Sequence, residues 1–178
     1  MDAVLDCMCR WPGEPPSCVL PSSYYLMPFE QGSQFNVALN KPAYQQYPLR
    51  SDTYDASNAV DGRKSDLRWN GGQCAVSLDK QTATWWVNLT TIHSINNITI
   101  FFMTKFIFQD FYNALSNYFL GFSVYISNTT DRLQGTLCYK DDNFTADTIP
   151  AVFNTTCPVH GQYVIYYNER LPGVTYPT

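Results

Sequence analysis

Apolar and polar side chains alternate in several separate stretches of this chain, and a period of two marks a strand with one face buried. In the first clear stretch Trp85, Val87 and Leu89 share one face while Trp86 and Asn88 take the other. In the second, Ile98, Ile100 and Phe102 oppose Asn97 and Thr99; in the third, Phe122, Val124 and Ile126 oppose Ser123, Tyr125 and Ser127. A weaker alternation sets Val37 and Leu39 against Asn36, Ala38 and Asn40, and it stops at Pro42, which cannot donate to a ladder and suits a sheet edge. Tyr163 to Tyr167 reads as a last strand. Residues 44–54 and 63–79 read as polar loops. Residues 105–119 form an aromatic-rich insert that is either an exposed contact surface or a satellite core under its own loop. The pattern predicts an all-β, antiparallel sandwich from about Asn36 onward.

Composition agrees with that class. A length of 178 residues suits one core plus an appendage, and 13 Tyr and 11 Phe with only 15% charged residues favour pleated surfaces over a helical bundle. The net charge of -4 provides no basic footprint for nucleic acid or an anionic membrane, which sets nucleic acid aside as a partner. No apolar run approaches the ~20 residues that span a bilayer. Residues 1–35, with Cys7, Cys9, Cys18 and five prolines, read as a linker or an unstructured end. The Cys spacing also resembles the close of an EGF-like module, which implies a Cys9–Cys18 pair.

Five Asn-x-Ser/Thr sequons, at Asn88, Asn97, Asn128, Asn143 and Asn154, point to the secretory pathway and to surface positions. The strand phases turn Asn88 and Asn97 outward on independent grounds. Six cysteines then read as disulfide formers in an oxidising compartment. Cys138 and Cys157 bracket a polar loop, and a bond between them is expected to contribute about 3 kcal/mol. The first six residues have neither a basic nor an apolar region of a signal peptide, so the chain is expected to be part of a larger extracellular protein.

Catalysis finds little support. His93 and His160 are scattered, and the sequence contains no nucleophile elbow and no phosphate-cradling glycine loop. Asp141 and Asp142 read as solvated loop carboxylates. The expectation is a non-enzyme.

The run Ala56-Ser57-Asn58-Ala59-Val60-Asp61-Gly62 is an oxygen-rich turn closed by glycine, of a kind that can hold a hard cation or serve as a plain Asx turn. Taken with Asn36 to Ala43 before it and Trp85 to Leu89 and Ile98 to Ile100 after it, the order of segments resembles the fucolectin/tachylectin/pentraxin-type domain. That family is a calcium-containing branch of the galactose-binding-like, discoidin-related jelly rolls. The resemblance implies a jelly-roll β-sandwich over 36–178 lacking its last strand. It implies Ca2+ held at Asn58, Asp61, Arg63 through its carbonyl, and Gln73, with a family glutamate in the missing strand, where the family partner of Cys74 also lies.

The family binds fucose-type glycans through a His and two arginines. Val76 stands where the His belongs, and residues 103–119 contain no Arg, so any sugar contact would fall to aromatics such as Trp69 and Tyr112. The expected function is a calcium-stabilised, lectin-like recognition module of a secreted or cell-surface protein, with glycans or cell-surface glycoproteins as partners. The alternative is an adhesion or receptor module that binds protein and no sugar.

Overall fold

Two long strands carry the fold. The computed structural model describes residues 1–5, 35–49, 53–65, 72–78, 80–102 and 116–172. Within them β1 is Asp2–Leu5, β2 Ala43–Gln45, β3 Thr82–Phe101, β4 Phe122–Ser127, β5 Thr136–Lys140 and β6 Val152–Glu169. Strands β3 and β6 pair antiparallel along nearly their whole length, with register shifts between Asn88 and His93 and between Ile95 and Asn97. The second shift is a bulge with one extra residue on β6, and at the first residues 89–92 of β3 stand opposite Gln162 alone; such irregularities bend the ribbon. One half of the ribbon carries β2 on β3, and β4 then β5 on β6; the other half carries β1, parallel to β3.

The bend closes the ribbon over a shared core. Trp85, Val87 and Leu89 from one half and Ile98, Ile100 and Phe102 from the other are all buried, as their alternation requires. Rings meet between the halves: Phe122 lies 5.1 Å from Phe102 and 5.0 Å from Phe153, and within its own half 5.7 Å from Tyr166, centroid to centroid. Phe119, at the end of the aromatic insert, tucks in beside Phe102 at 5.2 Å. Cys138 of β5 is bonded to Cys157 of β6.

Five expectations from the residue pattern fail. Asn36 to Asn40 is a turn and not a strand: the Asn36 carboxamide accepts the Ala38 amide at 3.0 Å, and Asn40 adopts a φ of 55°. Local side-chain bonding displaces the ladder here, leaving Ala38 buried and Leu39 exposed. Residues 43–45, read as loop, pair with β3. Asp2–Leu5, read as linker, also pairs with β3, and Ala3 is fully buried.

Ser123 and Ser127, expected outside, are buried. The outward face of β4 is covered locally: Ser127 donates to the Asp131 carbonyl, and the Arg132 guanidinium lies 3.9 Å from the Tyr167 ring centroid and 5.6 Å from that of Tyr125. Asp141 is likewise no solvated loop residue. It is buried and accepts from the backbone amides of Gly121, Asn143 and Phe144 at 2.8–3.1 Å. Gly121 has a φ of 75°, and a Cβ there would stand 2.7 Å from the Glu169 carbonyl oxygen.

Candidate cation turn and aromatic sheet face

The oxygen-rich turn forms at the edge of the core. Asp55 precedes a 3-10 turn, Ala56–Ala59, and its Oδ1 accepts the Ser57 amide at 2.8 Å. Hydrogen bonds from the Ser57 hydroxyl and amide hold the Asp55 carboxyl below its ordinary value. The turn is anchored from beneath, since Ala56, Ala59 and Val60 are buried and the Trp85 indole N–H donates to the Ala56 carbonyl at 3.0 Å. Gly62 takes a φ of 80° with a Cβ position 3.0 Å from Leu39 Cδ1, so glycine fits this step of the turn.

The structure brings Asn58, Asp61, Arg63 and Gln73 into one neighbourhood, each already engaged. Asn58 Nδ2 donates to the Thr53 carbonyl at 2.9 Å and to the Cys74 carbonyl at 3.1 Å, tying two loops together. Asp61 Oδ1 accepts the Arg63 amide at 2.8 Å, and the Arg63 guanidinium approaches Oδ2 at 4.0 Å. Gln73 is buried and bonds Ser65 Oγ at 3.1 Å; Cys74 next to it is also buried, and Val76 packs against the core. The donor set fits a hard cation in part only. Calcium takes six to eight oxygens, and Asp61 is the one carboxylate among the four residues, with a guanidinium beside it. No group of three or more His, Cys, Asp or Glu suited to a metal occurs among the described residues. Trp69 and Tyr112, the candidate sugar-stacking rings, lie outside the described residues, as do Cys7, Cys9 and Cys18.

A second feature was not legible in the pattern. On the outward face of β3, Trp86 stacks on Tyr44 of β2 at 5.2 Å between centroids and 19° between planes, and it meets the edge of Tyr163 of β6 at 5.6 Å. The next outward residue of β3 is Asn88, whose register partner is Tyr163. Asn88 Oδ1 accepts from the Thr90 amide at 2.8 Å and from Gln162 Nε2 at 2.9 Å. The signal that could have found this cluster is the outward phase of Trp86 itself, since a large ring turned away from the core needs neighbours.

The other sequons sit differently. Asn128, Asn143 and Asn154 are exposed. Asn97 and Asn154 belong to sequons that pair with each other across β3 and β6, Asn97 opposite Thr156 and Thr99 opposite Asn154. Each Asn Oδ1 accepts from the other sequon's Thr hydroxyl, at 3.4 Å and 2.7 Å respectively. His93 bonds Thr91, and His160 lies on the exposed side of β6 opposite Ser94, so the two histidines share no site.

No family model matches the sequence, and no curated protein matches it. Solved structures do. A fucolectin from the serum of striped bass, Morone saxatilis, aligns over 78% of this chain with a TM-score of 0.61 at 17% identity, and the chain spans 44% of that protein's length. The lectin domain of lectinolysin, solved with Lewis B antigen, aligns over 76% of this chain and 86% of its own, with a TM-score of 0.58 at 16% identity. Chitosan-binding module 2 of a Paenibacillus sp. IK-5 chitosanase/glucanase, solved with chitotriose, aligns over 75% and 87%, with a TM-score of 0.52 at 18% identity. The bent β3–β6 ribbon, its closed core and these likenesses together give the chain the fold that the fucolectin, the lectinolysin lectin domain and the chitosan-binding module share.

Proposed function

We propose that this chain is a lectin-like recognition module that binds carbohydrate and belongs to a secreted or cell-surface protein. The observation that carries the reading is the shared fold, because structures with this arrangement include a fucolectin and domains solved with Lewis B antigen and chitotriose. Recognition is assigned to the loops at the Asp61 end of the sandwich, where connections can vary while the sheets stay constant. Trp69 and Tyr112 are the ring faces on which an apolar sugar face would stack. Calcium is proposed as a weak stabiliser of the same turn, held by Asp61 and by carbonyl oxygens around Asn58, Arg63 and Gln73.

The test is a glycan array probed with the full chain, in calcium and in chelator, beside Asp61→Ala. Binding to a restricted set of glycans is expected, reduced by chelator and by the substitution alike. Silence on every glycan, together with capture of a cell-surface protein stripped of its sugars, would overturn the reading in favour of a protein-binding adhesion module. Glycan binding unchanged by chelator and by Asp61→Ala would remove calcium from the proposal while leaving the sugar.

A further inference from the structure

We infer that Asn88 is an N-glycosylation site whose first sugar docks on the protein's own aromatic face, against Trp86 and Tyr163. The inference rests on the secretory reading above and goes beyond it, because it assigns one of five sequons a seat in the fold.

Three observations converge. Trp86, Asn88 and Thr90 follow one another at a spacing of two at the end of the regular part of β3, and Trp86 and Asn88 share its outward face. The ladder is interrupted just after Asn88, and Thr90 has a φ of 73°, so the sequon lies where the regular strand ends and its backbone is released from the ladder. The Asn88 carboxamide is oriented by its oxygen alone. Oδ1 takes two hydrogen bonds, from Thr90 N and Gln162 Nε2, while among the described residues Nδ2 makes none. The group is therefore held with its nitrogen uncommitted, beside Tyr163 across the ladder and Trp86 along the strand. Asn97 and Asn154 are instead tied to each other's sequon threonines.

The covalent step needs a lipid-pyrophosphate-linked oligosaccharide as donor. The Asn88 amide nitrogen forms a bond to C1 of its terminal N-acetylglucosamine. The C1–O bond to phosphate breaks, the lipid pyrophosphate leaves with that electron pair, and the amide gives up one of its two protons. The product keeps Oδ1 unchanged, so both orienting hydrogen bonds survive. The C–H face of the first sugar then covers ring surface on Trp86 and Tyr163, in an aromatic contact of ordinary strength.

The experiment directs the full chain through the secretory pathway of a eukaryotic cell and maps its glycopeptides. Chains trimmed to a single N-acetylglucosamine are then compared with Asn88→Gln, in the native background and with Trp86→Leu. A sugar on Asn88 is expected to raise Tm by about 2–4 °C when Trp86 is present, and the gain should vanish with Trp86→Leu. Should Trp86→Leu fail to fold, the chemical shifts of the sugar's ring protons in the native chain read the same contact, and ring-current upfield displacement is expected. Occupancy at Asn143 or Asn128 with Asn88 bare overturns the inference alone. No occupancy at any sequon overturns the secretory reading and this inference with it. An Asn88 sugar with no upfield shift and an equal Tm gain in both backgrounds overturns the docking.

Discussion

Asp55 shows how much of the turn is decided by single side chains. Its carboxylate is held below the ordinary value by Ser57, so the native state binds the charged form more readily than the unfolded chain does. The stability it adds is present above the unfolded value of about 3.8 and is lost as pH falls through the lower native one. Asp55→Ala is expected to lower stability by about 0.5–1 kcal/mol at neutral pH, the low end of a capping effect because the group is exposed to solvent. The difference should disappear in thermal melts taken below the native pKa, and a gap that persists there would show the effect is not the charged cap. The Asp61-Gly62 turn was legible because Asp61 bonds the amide two residues on, whereas the Asp55 cap, though equally local, lies just outside the Ala56 to Gly62 run. The bridge from Asn58 to Cys74 was not, since it joins residues 16 apart that only the fold brings together.

At the scale of elements, the link between β5 and β6 carries a quantitative expectation. The Cys138–Cys157 bond closes a separation of 19 residues, and chain entropy assigns such a loop about 3 kcal/mol. Urea denaturation of native chain against Cys138→Ser/Cys157→Ser should show a lower midpoint by that amount; an unchanged midpoint would mean that β5 is held by its ladder to β4 alone. Both halves of β3 and the apolar face of β4 were readable because Trp85, Val87, Leu89, Ile98, Ile100, Phe122, Val124 and Ile126 are buried at a period of two; of β6 only Tyr163 to Tyr167 was readable, and its first residues, read as loop, pair with β3. Strand β2 was not, because three residues carry too little pattern, and its place depends on pairing with Trp85 to Val87, which lie far along the chain. Strand β1 escaped for the same reason. The alternation at Asn36 to Asn40 misled because a carboxamide one turn away offers the backbone a cheaper partner than a neighbouring strand.

The whole molecule turns on the closure of the bent ribbon. Phe122 is fully buried and packs against Phe102 just past β3, Tyr139 of β5, and Phe153 and Tyr166 of β6. Phe122→Ala should cost about 3–5 kcal/mol, since it removes a large side chain where both halves meet. Far-UV and near-UV signals should fall in one transition at lower denaturant. Two separate transitions in this variant would show that the halves fold independently, contrary to a single shared core.

Alternation along β3 and β4, the Asp61-Gly62 turn and the outward phase of Asn88 were determined by the residue order alone, because each depends on neighbours two or three positions away. The tertiary structure decided what those outward positions face. It set Trp86 between Tyr44 and Tyr163, buried Ser123 and Ser127 under a covered sheet face, and gave Asp141 three backbone donors. These outcomes depend on register between strands distant in the chain, and register is fixed by the summed packing of a whole face, which no local stretch of sequence contains.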